Sequence, residues 1–453
     1  MYYLIYNVIL VLVSPVIIGL LLTKKRCQRG LWSRLGSIPV ELQNLRKPVI
    51  WIHAVSLGEV ATIIPLLHAM KERYPQWPLV VSTVTETGRE VVIKQLEGVA
   101  WHCYAPVDFW WMVERYVRVL QPRLFILVES EFWPNLLKSL QRHQVPICLV
   151  NGRISSRSFS RYIWVKGMMK QVLSCIDLSL MQSVHDAKRI GQLGGTPDTV
   201  HVTGNMKFDQ GLDQRKPTDD HTFLSATLKL DAAEVLIVAG STHPQEEECL
   251  LEAYREVIAR HPQVVLLMAP RHIERASKLE QVIRHYGFTC IRRSQSFRDF
   301  GDYAQQNGPR VILLDSRGEL PFIYRKGFVT FVGGTLVPVG GHNLLEPAQW
   351  GRPVMFGPYV DHCRDIAGLL LESGGGIQIQ NQGELAFHLI RLITHPSEAE
   401  DMGRRAFQVV QTHRGVIARN LQWIDRLLEK KDSASLSLSV AGSSSITSQE
   451  ILR

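Results

Sequence analysis

The decapeptide WIHAVSLGEV, residues 51–60, decides how the chain is read. The apolar run Val49, Ile50, Trp51, Ile52 gives way to small residues. Glu59 stands just past Gly58, where a new apolar pattern begins at Ala61, Ile63, Ile64, Leu66 and Leu67. A short β-branched run followed by helical spacing is a strand, a tight loop and a helix. The carboxylate at that junction has two uses. It can complement the positive end of the helix dipole, or, beside apolar walls, it can act as a general base with a raised pKa.

The same alternation extends outward. Strands are predicted at 48–53, 79–84, 124–129, 145–150, 178–183 and 200–204, with helices between them such as 109–120 and 132–143. Residues 209–231 lose periodicity and read as a linker. Strands resume at 235–240, 264–269, 311–315, 329–333 and 353–357, and helices fill 246–260, 276–286 and the charged stretch 397–431. This is the pattern of βαβ units on parallel sheets. The expected fold is α/β: two Rossmann-like doubly wound domains over residues 23–210 and 211–430. The serine-rich residues 431–453 are expected to be disordered.

Bulk properties agree. A chain of 453 residues exceeds a single core, and a net charge of +9 suggests an acidic partner. Seven scattered cysteines argue against a zinc site or a disulfide framework and fit a reducing compartment. Residues 1–22 are apolar and uncharged, and Lys24, Lys25, Arg26, Arg29 and Arg34 follow. The length suits a bilayer-spanning helix, and the charge bias leaves the remainder in the cytoplasm, so a single transmembrane anchor is predicted.

Ligands of doubly wound sheets bind outside the carboxyl ends of the strands, in a cleft expected between the two domains. In the first domain Glu59, Glu129 (ending LFILVE, 124–129), Glu131 and Lys207 (in TGNMKFD, 203–209) stand there. Each also has a bland use as a helix-start acid or a solvated residue. In the second, AGSTHPQEEE (239–248), MAPRH (268–272) and VGGTLVPVGGHNLLEPA (332–348) look built for an anion, with glycines for close approach and Arg271 among them. Glu346 can cap the helix after Asn343 or grip a ribose. No Walker loop, G-x-G-x-x-G, HExxH or Asp-x-Asp occurs, and His53, His243 and His342 are not at ligand spacings, so no metal is predicted. Residues 151–170 place Arg153, Arg157 and Arg161 at helical spacing, with Lys166, Lys170 and aromatic residues. They suit an anionic lipid or serve merely as a solvated face.

With these residues assembled, the chain resembles the Kdo (3-deoxy-D-manno-octulosonic acid) transferases of lipid A biosynthesis. The resemblance rests on HAVSLGE, ESEFWPN, NGRISSRS, GNMKFD, GSTHPQEEE, APRH, GEL and GGHNLLEPA, in that order. Gln245 and Arg317 depart from the usual pattern. The resemblance implies a GT-B fold and a metal-independent, inverting transfer of Kdo from CMP-Kdo. The acceptor would be a lipid A precursor (lipid IVA) at the inner, cytoplasmic membrane, with no nucleic-acid partner. It makes Glu59 the general base, with Glu129 and Lys207 supporting the transition state. It assigns CMP to Pro270 and Arg271, to Arg317, Gly318 and Glu319, and to Asn343, Leu344, Leu345 and Glu346. The alternatives are a GT-B enzyme using another nucleotide sugar such as UDP-N-acetylglucosamine, and a non-catalytic membrane-tethered protein that binds nucleotide or lipid.

Overall fold

The computed structural model describes residues 2–23, 30–210, 228, 230–231, 233–294 and 309–447. Most of the predicted linker, residues 211–227, lies outside them, as do the basic residues 24–29. The chain divides into one unit of Met1–Gln210 with Gly415–Arg453, and a second of Gly211–Arg414.

The first unit holds seven strands: β1 Val49–His53, β2 Leu79–Thr83, β3 Ala100–Tyr104, β4 Pro122–Val128, β5 Ile147–Gly152, β6 Leu178–Met181 and β7 Val200–Val202. They form one parallel sheet in the order β3-β2-β1-β4-β5-β6-β7. The second holds β8 Val235–Thr242, β9 Val264–Pro270, β10 Thr289–Arg292, β11 Arg310–Leu313, β12 Val329–Val332, β13 Val354–Phe356 and β14 Gly376–Gln378. Its order is β10-β11-β9-β8-β12-β13-β14, again parallel.

Every residue of β1 is buried because helices cover both faces of the sheet. Alternate side chains go to opposite cores. Trp51 meets Phe125 edge-on, with ring centroids 5.1 Å apart. Ile50 and Ile52 pack with Val60, Ile63 and Leu67 of the helix Leu57–Arg73. At ~1.5–3 kcal/mol per fully buried aliphatic side chain, such central positions fix the register.

One expectation is corrected. It concerns the membrane anchor. Tyr2–Thr23 is a helix, but among the described residues no helix is long and apolar enough to cross a membrane. Its first turns are committed to the first unit. Tyr6 donates to Asp108 Oδ2 (2.9 Å), Asn7 and Asn135 exchange amide hydrogen bonds (3.1 and 2.8 Å), and Tyr3 Oη lies 3.8 Å from Cys175 Sγ. Spanning needs about 20 apolar residues, and the polar docking of the first turns leaves fewer.

The chain rejoins the first unit at Gly415, and a single helix runs Val416–Thr447. The serine-rich stretch holds no proline and follows a docked helix, so elongation is cheap once nucleation has occurred. Residues 448–453 lie outside the described ones.

Candidate functional site

In the first sheet the chain winds outward through β1, β2 and β3, then returns to lay β4 on the other side of β1. The loops leaving β1 and β4 diverge there and open a crevice. Glu59 stands in the first helical turn after β1, and Glu129 directly follows β4.

Both readings of Glu59 hold at once. Ser56 caps the helix, accepting from the Glu59 N–H at 3.4 Å and donating its own hydroxyl to Glu59 Oε1 at 2.9 Å. The Val55 N–H donates to Oε2 at 2.8 Å. Burial nevertheless raises the carboxyl; the Val55 and Ser56 bonds oppose it, the charges of Glu129 and Glu131 add to it, and the pKa is lifted to about 7. An ionised carboxylate has about four lone-pair sites, so an acceptor hydroxyl can still be received.

Glu129 adopts φ 59°, a left-handed conformation rare outside glycine. Strain of this kind gathers at functional sites. Burial pushes its carboxyl up, while Lys207 and Arg153 hold it down. Lys207 lies on the turn Met206–Asp209, positioned by Asn205 Oδ1, which accepts the Lys207 N–H at 3.0 Å. Asn151, fully buried with φ 54°, accepts the Met206 N–H at 3.0 Å. The first unit thus gathers Glu59, Glu129, Glu131, Lys207 and Arg153.

Sequence reading missed Asn151 and placed Arg153 on a basic helix. β5 instead runs to Gly152, and the helix Ser156–Trp164 starts later, leaving Arg153 in the strand-end loop. The Asn-Gly pair after an apolar run was the available signal.

In the second sheet the reversal falls between β8 and β12. Glu246, fully buried at the start of the helix Glu246–Arg260, joins the two loops there. It accepts N–H groups from Gly334 (2.7 Å), Thr335 (2.8 Å), Leu336 (2.8 Å) and His243 (3.1 Å). A Cβ on Gly333 would lie 2.5 Å from the Ser241 carbonyl oxygen, so only glycine lets these loops close on each other. The glycine-rich look of the loop was legible, but its carboxylate brace was not singled out among three consecutive glutamates.

Pro270 ends β9, and the Arg271 N–H donates to the Thr242 carbonyl at 3.0 Å. The Arg271 guanidinium makes no hydrogen bond or ion pair among the described residues, yet its charge reaches Glu346, His243 and His342. Burial lifts Glu346 to about 7 against the Asn343 hydrogen bond and Arg271. Asn343 caps the following turn, its Oδ1 receiving the Leu345 N–H at 3.2 Å and its amide donating to Glu346 Oε1 at 3.4 Å. Leu344 and Leu345 are buried and hold the turn by packing.

Arg317 pairs with the exposed Glu274 at 2.8 Å, three residues beyond Arg271. Glu319 is gripped by Arg293 at 3.1 and 3.2 Å and by Ser316 at 2.8 Å. Gly318 has φ +85° with open space at its Cβ, so it serves the turn. Among the described residues no group of three or more His, Cys, Asp or Glu side chains is placed to hold a metal ion.

Two doubly wound parallel units, with carboxylates gathered about the buried Glu59 at one reversal and a glycine-rich, arginine-bearing loop set at the other, define the GT-B class. The family model described as 3-Deoxy-D-manno-octulosonic-acid transferase (kdotransferase) matches residues 29–210. The 3-deoxy-D-manno-octulosonic acid transferase of Haemophilus influenzae is 32% identical over 389 residues, 84% of this chain and 87% of that protein. The protein so named in Chlamydia trachomatis serovar A is 31% identical over 341 residues, 74% of this chain and 76% of that one. The chain belongs to the 3-deoxy-D-manno-octulosonic acid transferase family. Among solved structures, the UDP-GlcNAc 2-epimerase of Neisseria meningitidis matches with a TM-score of 0.58 at 10% identity, over 83% of this chain and 100% of that one, a likeness of fold alone.

Proposed function

We propose that the chain transfers Kdo from CMP-Kdo to a lipid A precursor in a single inverting displacement. The observation that carries this reading is Glu59, a buried carboxyl at about 7 within a carboxylate cluster on a chain of this family. A base poised near neutral pH can accept a hydroxyl proton and still be ionised enough to act. The acceptor oxygen forms a bond to the Kdo anomeric carbon as the carbon–phosphate oxygen bond breaks. The electron pair leaves with CMP, and the hydroxyl proton passes to Glu59. Glu129 and Lys207 shape the field at the reacting centre, and Arg271 takes up charge on the departing phosphate. The proposal assigns that charge to these side chains rather than to a metal ion.

Pro270, Arg271, Asn343 and Glu346 form the proposed CMP site, with Arg317, Gly318 and Glu319 at its margin. For the acceptor, support comes from the helix Ser156–Trp164, which buries no residue. Ile163, Trp164 and Val165 are exposed, Trp164 by 91%, beside Arg157, Arg161, Lys166 and Lys170. Apolar and basic side chains on one surface suit a phosphorylated lipid at the cytoplasmic face of the inner membrane.

The test is incubation with fresh CMP-Kdo and tetraacylated lipid A precursor, following CMP release and product mass, with and without EDTA. Transfer is expected in both. Glu59→Gln is expected to bind CMP normally and lose transfer by at least ~100-fold. Normal turnover in that variant would place the base elsewhere. Preference for UDP over CMP in a titration would sink the donor assignment.

A further inference from the structure

His243 and His342 stand on the two loops that meet at the second sheet's reversal, and their Nε2 atoms lie 2.8 Å apart. The rings are within 5° of parallel with centroids 5.1 Å apart, so they meet edge to edge. A contact between two ring nitrogens needs one N–H and one lone pair. The neutral pair therefore holds opposite tautomers, and only one of its two outward Nδ1 atoms carries a hydrogen. One added proton changes this: the charged ring keeps the shared N–H, and both Nδ1 atoms become donors. A second proton would set N–H against N–H and break the contact. Among the described residues neither Nδ1 has a hydrogen-bond partner.

The groups around the pair are mostly basic. The turn after β9 supplies Arg271, His272 and Arg275, and His362 approaches from the segment after β13. His272 stands edge-on to His243 at 5.9 Å. The nearby acids are already engaged: Glu246 by four backbone N–H groups, and Glu247 by Arg275 at 2.8 and 3.1 Å. Glu346 faces Arg271. Burial and these cations keep both imidazoles below their ordinary value, His342 at about 4. The free pair is therefore neutral at physiological pH.

We propose that the His243–His342 pair is a proton-loading element of the donor phosphate site, taking one proton from solvent when the phosphate of CMP docks beside Arg271. The inference rests on the donor reading above and adds to it a pair that positions the phosphate. An anion about 5 Å away, at an effective dielectric of about 20, raises an imidazole by roughly two pKa units. That brings the pair into titration near pH 6 and leaves the proton available to the dianion that departs.

The test is calorimetry of CMP binding to the full chain at pH 6 in buffers of different ionisation enthalpy, with cytidine as the phosphate-free control. Uptake of roughly half a proton per CMP is expected, because the bound pair is then half titrated. CMP has a phosphate ionisation in the same range, so His243→Asn and His342→Asn isolate the pair. Each is expected to lose most of the uptake, to bind CMP roughly twofold more weakly at pH 6 and roughly tenfold more weakly at pH 5, and to converge on the wild type at pH 8. Spectra of the ¹⁵N-histidine-labelled wild type are a readout independent of any variant; on adding CMP at pH 6 the Nδ1 that lacks a hydrogen in the free pair should move about halfway to the protonated range, while the other stays there. CMP binding without proton uptake, or uptake unchanged in both variants, overturns the inference and leaves the donor reading intact. Absence of CMP binding overturns both.

Discussion

At the residue scale Glu59 braces the Ser56 cap of a helix and carries a charge that burial opposes, and the two facts make a testable conflict. Its folded pKa of about 7 lies above the ordinary 4.5. A carboxyl raised in this way contributes stability that is fully present below about pH 4.5 and is lost as pH rises through about 7. Replacement by the neutral isostere removes that loss. Glutamine can accept the Val55 N–H and donate to Ser56 Oγ, so the cap survives. Glu59→Gln is expected to be more stable than wild type at pH 8 by on the order of 1–3 kcal/mol, with the gap closing near pH 4.5. Urea denaturation at the two pH values measures this, and a variant less stable at pH 8 would show that Glu59 is chiefly structural. The same ionisation governs rate. In the wild type kcat/KM should climb about tenfold per pH unit below 7 and level off above it. A profile flat from pH 5.5 to 8 would remove Glu59 as the base.

At the scale of elements, the donor loops depend on the Glu246 carboxylate as well as on their glycines. Removing it strands three N–H groups of the segment Gly334, Thr335 and Leu336 together with that of His243. A buried orphan donor costs about 1–3 kcal/mol. Glu246→Ala is therefore expected to lower unfolding stability by at least ~3 kcal/mol and to abolish CMP binding. Glu246→Gln, which keeps one acceptor oxygen, should fall between. Retained CMP affinity in the alanine variant would mean the loop holds its shape without the brace. This element also marks what could be read from sequence. Central strands such as β1, β4, β8 and β9 were legible because burial on both faces makes them apolar runs. The strands β3, β10 and β14 were not, being sheet edges with half-exposed or very short sequences, AWHCY, TCIR and GIQ. Glu59, Glu129 and Arg271 were legible as candidates because a charge directly after an apolar run is conspicuous. Asn151, Glu246 and the His243–His342 contact depend on partners 55 to 99 residues away, and no local pattern encodes those. The apolar first 22 residues misled because composition does not reveal that Tyr6 and Asn7 dock on Asp108 and Asn135.

At the scale of the whole molecule, the first unit is completed by chain that follows the second. Asp209 receives the N–H groups of Gly415 (2.8 Å) and Ile417 (2.7 Å), capping the terminal helix as it arrives. Along that helix Val416, Ile424, Leu427 and Leu428 enter the same core as Ile50, Ile63 and Leu67. Trp423 stacks on His201 with centroids 3.6 Å apart, and Asp425 receives Arg73 at 3.0 and 2.6 Å and Tyr74 at 2.6 Å. The exposed ion pair adds little; burial of the four aliphatic side chains contributes about 6–12 kcal/mol by area, an upper figure. That is comparable with the entire stability of a typical domain, about 5–15 kcal/mol. The first unit should therefore not fold cooperatively from residues 30–210 alone. A fragment of that span is expected to lack near-ultraviolet circular dichroism and a sharp thermal transition, and to regain both when a peptide of residues 415–433 is added in excess. The single change Ile424→Ala in the full chain should cost about 2–5 kcal/mol and lower the transition of the first unit selectively. A fragment melting as sharply alone as with the peptide would show that the terminal helix decorates a finished core, and that the chain's return to its first unit serves something other than its stability.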